Sequence, residues 1–221
     1  AGHVLAVVIG RESQLEGLAL AELHAAGGVF KLLEHLAVAQ DELEILGLAA
    51  LKRLAVDLAF EIHRDAVAGL GGGIVRALPF LAPVFWVVAG DIYAPQFDFA
   101  PAIAKEFVRS DKLAHIWMVP NPAHNPKGDF GLSSEGLALN LPKTATLFTF
   151  STFALYKKEF FATALTGVPE GNPQGKAAPL APLLRAAMDR GMVSASLYTG
   201  AWTDVGTPER LKDLNQSPAT P

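Results

Sequence analysis

Two acidic residues follow short apolar segments in widely separated parts of the chain. Asp91 comes directly after the apolar run at residues 85–90, and Asp204 follows the short segment Trp202-Thr203. In open α/β sheets, ligands bind at the carboxyl ends of the strands, so both carboxylates are candidates for holding a metal or a polar substrate. The alternative for Asp91 is a residue that only begins a turn after Gly90. The second acid favours the metal interpretation, because two carboxylates at strand ends can share one divalent ion.

A glycine triplet, Gly71-Gly72-Gly73, is a candidate for contact with a ligand. It precedes a short predicted helix that ends before Pro79. Glycines have no side chain, so the backbone there can approach a flat ligand or a phosphate closely. A flexible joint between two elements is the equally weighted alternative.

The loop at residues 120–130 is a candidate wall of a substrate site. Three prolines within seven residues make it stiff and non-helical, and it contains Asn125, His124 and Lys127. A surface turn is the alternative. His115 and His124 occur in such different contexts that we do not expect a zinc pair.

These candidates must be positioned by strands that alternate with helices. We predict strands at residues 4–9, 53–62, 85–90, 114–119, 145–156 and 194–202, and helices within 15–51 and at 100–110, 180–190 and from 208. Gly10 would begin a nucleotide loop after the first strand, and a loop occupies residues 167–178. Thr207 is a predicted helix cap, with Pro208 at the first helical position. The pattern predicts one three-layer α/β domain over residues 1–221, with a mainly parallel, mixed sheet.

Composition excludes several classes of function. The 221 residues are 51% hydrophobic, which is enough for a full core, and 18 basic against 22 acidic residues give a net charge of −4. No basic cluster suggests nucleic acid as a partner. The chain has no cysteine, so disulfides and thiolate sites are excluded. No apolar run reaches membrane-spanning length and the N-terminus lacks a basic start, so we expect a soluble, cytoplasmic protein with no membrane partner.

The sequence also resembles a known family in five segments. They resemble the sugar-phosphate nucleotidylyltransferases, and within that family the N-acetylmuramate-1-phosphate uridylyltransferases and mannose-1-phosphate guanylyltransferase-like proteins. The segments are Gly-Gly-Gly-Ile (71–74), Gly-Asp-Ile-Tyr (90–93), Asn-Pro-Ala-His-Asn-Pro-Lys-Gly-Asp-Phe (121–130), Pro-Leu-Ala-Pro-Leu-Leu-Arg-Ala-Ala-Met (179–188) and Trp-Thr-Asp-Val-Gly-Thr-Pro-Glu-Arg-Leu (202–211).

The resemblance implies a fold, a reaction and a set of site residues. The fold would be a Rossmann-like nucleotide-diphospho-sugar transferase fold. The reaction would join a nucleoside triphosphate, UTP by preference, to a sugar 1-phosphate such as N-acetylmuramate 1-phosphate, and release pyrophosphate. Asp91 and Asp204 would be the catalytic carboxylates and hold Mg²⁺. The nucleotide would lie against Gly10, Gly72 and Gly73, and the sugar against Asn125, Gly128 and Asp129.

The first seventy residues depart from the family pattern. The family has arginine and lysine after its first strand, whereas Glu12, Gln14 and Glu22 stand at the corresponding positions here. Loss of those cations would remove much of the charge that neutralises a triphosphate. Two explanations remain open: an inactive, degenerate relative, or a natural N-terminal sequence that differs from the printed one. The mass of the intact protein distinguishes them.

Three hypotheses about function follow. The first is the Mg²⁺-dependent nucleotidylyltransferase. The second is a glycosyltransferase that consumes a sugar nucleotide. It is disfavoured because such enzymes place two acids one residue apart after the central strand, and Tyr93 fills the second place here. The third is a non-catalytic protein that binds nucleotide sugars.

Overall fold

The structure is a computed structural model that describes residues 6–9, 69–89, 91–141 and 146–216. The strands of this part are β1 (Ala6–Ile9), β2 (Val84–Ala89), β3 (Ile92–Tyr93), β4 (Ala114–Val119), β5 (Phe130–Leu132), β6 (Ala138–Leu139), β7 (Leu147–Lys157), β8 (Val193–Leu197) and β9 (Thr203–Asp204). The helices are α1 (Gly69–Ala77), α2 (Pro101–Arg109), α3 (Thr163–Thr166), α4 (Leu180–Met188) and α5 (Pro208–Gln216).

The larger sheet is mixed, with the order β1-β2-β7-β4-β8 and the hairpin β5–β6 attached to β7. The α/β class and the mixed sheet predicted from the sequence are confirmed. The expectation of a mainly parallel sheet is wrong for the described strands, where β4–β8 is parallel and the other pairs are antiparallel. The reason is the long strand β7, which returns through the β5–β6 hairpin and inserts antiparallel between β2 and β4.

Strand β2 is covered on both faces, and this explains its continuous apolar sequence. Phe85 and Val87 belong to one core cluster, whereas Trp86 and Val88 belong to another. Successive side chains of a strand point to opposite faces, so a strand buried on both sides cannot alternate polar and apolar residues. The strand therefore lies in the middle of three layers.

The first face of the sheet packs against α1 and α4. Ile74 and Val75 of α1 and Leu184 of α4 are buried together with Ile116 of β4 and Tyr156 of β7. Burial of one such aliphatic side chain stabilises a fold by about 1.5–3 kcal/mol. Gly71 explains the close approach of these helices, because a Cβ at this position would overlap the carbonyl oxygen of Ala178, just before α4.

The second face carries an aromatic cluster, which α2 covers with Phe107. The cluster consists of Trp86, Phe97, Phe99, Trp117, Phe153 and Tyr198. Trp202 packs against it, and its indole N–H donates to the carbonyl oxygen of Ser151 at 3.2 Å. The cluster therefore anchors the chain two residues before Asp204.

Strand β7 contains an irregularity next to this anchor. The register between β4 and β7 shifts from Ile116↔Ala154 to Met118↔Phe150, so residues 151–153 oppose one residue of β4. Thr152 has a φ of 68° there, a left-handed conformation that is strained for a β-branched residue. Its buried hydroxyl has no hydrogen-bond partner. The bulge bends the strand and leaves the Ser151 carbonyl for Trp202.

Most predicted elements in the described residues are confirmed, with shifted ends. The strand predicted at 114–119 matches β4, and the strand predicted at 145–156 corresponds to β7. The last predicted strand is shorter, because β8 ends at Leu197. The helix predicted at 180–190 ends at Met188, and Gly191, with a φ of 68°, donates to the Met188 carbonyl at 2.8 Å. The predictions for residues 15–51 and 53–62 lie outside the described residues.

A membrane span is not found: within the described ranges, each helix is too short or too polar to cross a bilayer.

His115 on β4 makes a testable contribution to stability. Its imidazole Nδ1 lies 2.8 Å from the Ser194 hydroxyl, its ring contacts Trp117 edge-on, and burial lowers the pKa of His115 from 6.5 to about 4. The folded state therefore favours the neutral ring. The contribution to stability is fully present above pH 6.5 and is lost as the pH falls towards 4.

We expect His115→Gln to weaken this acid sensitivity. In urea denaturation at pH 7 and pH 4.5, the midpoint of the parent should fall more between the two pH values than that of the variant. An equal fall in both proteins would contradict the burial of a neutral His115.

Candidate active site

A small two-stranded sheet brings Asp91 and Asp204 together. Asp91 lies in the turn after β2, and β3 begins at the next residue. Strand β3 pairs antiparallel with β9, so that Ile92 is opposite Asp204 and Tyr93 is opposite Thr203. The amide of Val205 also donates to the Asp91 carbonyl at 2.7 Å. Backbone hydrogen bonds on both sides therefore hold the two acids side by side.

The carboxylates face each other across Gly206. A Cβ at Gly206 would lie 2.9 Å from Oδ1 of Asp204 and 2.9 Å from Oδ2 of Asp91. Both oxygens lie at the same distance from one point, so their separation cannot exceed twice that distance. The absence of a side chain on Gly206 leaves this space beside the two carboxylates open.

The two oxygens of Asp204 have different partners. Oδ1 accepts the Gly206 amide at 2.7 Å, and this fixes the side chain relative to its own backbone. Oδ2 accepts Nη1 of Arg210 at 3.0 Å and lies 3.5 Å from Nε2 of His124. Arg210 is the third residue of α5, and its amide donates to the Thr207 hydroxyl at 3.3 Å, as the predicted cap requires.

The environment of Asp91 disfavours its negative charge. Burial, and then the charge of Asp204, raise the pKa of Asp91 above 3.8, while its own backbone and the Arg210 guanidinium act in the opposite direction. When folding raises the pKa of a carboxyl group, the group stabilises the folded protein at pH values below its pKa in the unfolded chain. This contribution is lost as the pH rises through the pKa in the folded protein. At neutral pH, the negative charge of Asp91 therefore destabilises the metal-free protein.

The donor atoms of this pair fit a magnesium ion. Mg²⁺ prefers oxygen ligands, and in enzymes that act on phosphates it uses one or two carboxylates and takes its other ligands from phosphate and water. Asp91 and Asp204 would supply such a pair, beside the open space at Gly206. Residues 6–9, 69–89, 91–141 and 146–216 contain no group of three or more His, Asp or Glu residues arranged to hold a metal. The two carboxylates supply oxygen donors, the kind of ligand that Mg²⁺ prefers.

The loop predicted to contact the sugar is held by its own side chains. Asn125 donates to the Asp129 carboxylate and to the Thr149 hydroxyl, both at 3.2 Å, and that hydroxyl donates to Asn121 at 2.9 Å. Asp129 also accepts the amide of Phe150 at 2.9 Å. The loop is therefore fastened to β7, and Asn125 and Asp129 have a structural role whether or not they bind substrate.

Gly128 stands in this loop where another residue would not fit. Its φ is 68°, and a Cβ would lie 2.8 Å from the Asn121 side-chain oxygen and from the Leu147 carbonyl carbon. Glycine is required here for both the backbone conformation and the close packing. The same loop carries His124 to Asp204, so the stiff loop and the acid pair form one site.

The glycine triplet differs from the expectation. Gly71, Gly72 and Gly73 lie inside α1 and are buried, whereas the sequence suggested a loop before the helix. The carbonyl of Gly72 accepts the side-chain amide of Asn172 at 3.2 Å. Gly71 lets the helix pack against the segment before α4, because a Cβ there would overlap the Ala178 carbonyl oxygen. Contact of Gly72 and Gly73 with a base stays a prediction, and Gly10 lies outside the described residues.

Sequence reasoning missed two residues of the site, His124 and Arg210. The sequence places His124 only in the loop at residues 120–130, and Arg210 only in the segment after Asp204. The position of Arg210 was a usable signal. Side chains of a helix tilt towards its N-terminus, so a residue in the first turn after a cap at Thr207 lies close to the segment that precedes the cap. No comparable signal links His124 to a residue 80 positions away.

Comparisons with known proteins first define the class of fold. The structure is similar to that of a putative glucose-1-phosphate thymidylyltransferase from Bacillus anthracis, solved in complex with sucrose. The TM-score is 0.50 at 17% identity, over 67% of this chain and 60% of the other. At that identity, the likeness establishes the fold alone. The chain has the Rossmann-like α/β fold of the nucleotidylyltransferases, as predicted.

The sequence comparison is more specific. The chain is 36% identical over 160 residues to the N-acetylmuramate alpha-1-phosphate uridylyltransferase of Neisseria meningitidis serogroup B. The match includes 72% of this chain and 65% of that enzyme, so this chain spans less than two thirds of the relative's length. No protein-family model matches the chain. The predicted resemblance to the sugar-phosphate nucleotidylyltransferases is confirmed.

Proposed function

We propose that this protein is a Mg²⁺-dependent sugar-1-phosphate nucleotidylyltransferase that uses UTP and N-acetylmuramate 1-phosphate. The observation that carries the proposal is the convergence of Asp91 and Asp204 beside Gly206, just after the end of strand β2. The relative from Neisseria supports the choice of base and sugar. A mannose-1-phosphate guanylyltransferase activity is the alternative within the same class. A cytoplasmic location is part of the proposal.

The reaction is an in-line substitution at phosphorus. An oxygen of the sugar phosphate attacks the α-phosphorus of UTP, a new P–O bond forms, and the bond to pyrophosphate breaks. Such reactions depend mainly on orientation and charge neutralisation. Mg²⁺ would supply positive charge to the phosphate oxygens. Asp91 and Asp204 would hold it, because together they present two carboxylate oxygens to the same space.

The remaining predicted residues would border the substrates. Asn125, Gly128 and Asp129 would line the sugar, on a loop that is fastened to β7 and therefore needs little ordering on binding. Gly72 and Gly73 would border the base, and Gly10 the nucleotide.

A pyrophosphate assay tests the proposal. We expect pyrophosphate release when the protein, UTP, N-acetylmuramate 1-phosphate and Mg²⁺ are combined, and none when the sugar phosphate or Mg²⁺ is omitted. Parallel reactions with GTP and mannose 1-phosphate measure base and sugar preference. A glycosyltransferase would release no pyrophosphate.

A non-catalytic binding protein is the second candidate, because Glu12, Gln14 and Glu22 replace the cations that the family places around the triphosphate. Calorimetry separates this candidate from the first. Tight binding of the nucleotide sugar with no binding of UTP and no turnover would support it, whereas measurable turnover would exclude it.

A further inference from the structure

Arg210 occupies an unusual position for a cation next to a metal site. Its guanidinium lies 3.0 Å from Oδ2 of Asp204, with the two side chains 29% and 25% exposed. A Cβ on Gly206 would lie 3.5 Å from Nη2 of Arg210, so the guanidinium also borders the space between the carboxylates. The positive charge of Arg210 thus lies beside the same carboxylates that would attract a divalent cation.

We propose that Arg210 is a built-in counter-charge, which keeps the two carboxylates together while no divalent cation is bound and weakens the binding of that cation. The inference rests on the proposed function in one respect, that Asp91 and Asp204 are the metal ligands.

The first step of the argument is electrostatic. Backbone pairing holds Asp91 and Asp204 close together, and an oxygen of each carboxylate lies 2.9 Å from the position of a Cβ on Gly206. Like charges this close repel. The guanidinium of Arg210 offsets part of that repulsion in the metal-free protein. A divalent cation between the carboxylates would neutralise the repulsion between them by itself. The guanidinium would then repel the cation, because both are positively charged.

The second step decides the sign of the effect on metal binding. Arg210 could instead be required to orient Asp204, and its loss would then weaken binding. However, Oδ1 of Asp204, which borders the same space at Gly206 as Oδ2 of Asp91, accepts the amide of Gly206 at 2.7 Å, and Arg210 binds the other oxygen. The orientation of Oδ1 therefore survives the loss of Arg210, so the removal of repulsion dominates.

The test uses Arg210→Gln and Mn²⁺ alone as the probe, with no nucleotide. We expect the variant to bind Mn²⁺ about twofold to fivefold more tightly than the parent, within the range for partly exposed charge pairs. It should melt several degrees lower in chelator. Because Mn²⁺ stabilises the protein that binds it more tightly to a greater extent, the difference in melting temperature between variant and parent should become smaller at saturating Mn²⁺. Equal or weaker binding of Mn²⁺ to Arg210→Gln would overturn the inference.

Three further variants make the test specific. Lys212→Gln removes one positive charge from an exposed position on the same helix and should leave Mn²⁺ binding unchanged. Arg210→Lys keeps the charge and should resemble the parent. If Arg210→Gln does not fold, Asp91→Asn/Arg210→Gln, in which the repulsion is absent, should fold. Failure of this double variant to fold would contradict the counter-charge role.

The outcome is separable from that of the proposed function. Parent-like Mn²⁺ binding by Asp204→Asn would mean that the proposed ligands are wrong. Loss of binding by Asp204→Asn, together with unchanged binding by Arg210→Gln, would leave the proposed function intact and reject the inference alone.

Discussion

Asp204→Asn is expected to lower the rate of pyrophosphate release at least about a hundredfold, the scale seen when a group that stabilises transition-state charge is lost. The amide oxygen can still accept the Gly206 amide, and the backbone pairing of β9 does not involve the side chain. The shape of the site is therefore kept, while one of the charges that would balance Mg²⁺ is removed. Steady-state kinetics at saturating Mg²⁺ measures the effect.

The melting temperature shows whether Asp204 has a metal-binding or a structural role. In chelator, the substitution removes both repulsion by Asp91 and attraction by Arg210, so the melting temperature should stay close to that of the parent. Stabilisation by Mg²⁺ with UTP should disappear. Asp111→Asn, which changes a carboxylate that is 78% exposed, is the charge-matched control. A variant that melts lower in chelator and turns over normally would show that Asp204 only caps local amides.

Gly206→Ala is expected to weaken Mn²⁺ binding by at least about tenfold and to lower turnover by about a hundredfold, as misplacement of a reacting group by about 1 Å can. The φ of Gly206 is outside the left-handed region, so its backbone would accept alanine. The obstacle is the new methyl group, which would lie 2.9 Å from an oxygen of each carboxylate. Either the carboxylates separate or the methyl group takes the space that an ion needs.

Gly136→Ala provides the matched control for Gly206→Ala. The φ of Gly136 is 76°, and its added Cβ would approach nothing closer than 3.7 Å. This control should therefore lower the melting temperature through backbone strain and leave Mn²⁺ affinity unchanged. Gly206→Ala should show the reverse pattern, with little change of melting temperature in chelator. Parent-like Mn²⁺ binding by Gly206→Ala would contradict an ion position beside Gly206.

The sequence was sufficient to predict the acid pair because each acid has a local signature. Asp91 follows an unbroken apolar run, which is typical of a strand buried on both faces, and Asp204 precedes a glycine and a capped helix. The rule that ligands bind at strand ends of α/β sheets made both acids candidates for one site. In the structure, the antiparallel pairing of β3 with β9 brings them together. The contact of His124 with Oδ2 of Asp204 could not be found in this way, since His124 reaches it from a loop whose path depends on Asn121 and Thr149.

The direction of the strands and the state of the glycine triplet depend on tertiary contacts. Alternating polar and apolar residues identify β7 as a strand but do not tell which neighbours it pairs with or in which direction. Glycine is a poor helix former, and the triplet was therefore interpreted as a loop. In the structure, Gly72 is held in α1 by the side chain of Asn172, about a hundred residues later, which no local pattern reveals.

The pairing of β3 with β9 has a consequence for folding kinetics. About half of the chain lies between Asp91 and Asp204, and the core strands β4, β7 and β8 all belong to that half. Contacts between distant residues form late, because the loop between them must close first. We therefore expect the two carboxylates that we propose as metal ligands to come together only after the sheet has formed. In a refolding experiment, Mn²⁺ binding should appear after the burial of tryptophan fluorescence in the core, so metal binding reports the completion of folding rather than its start.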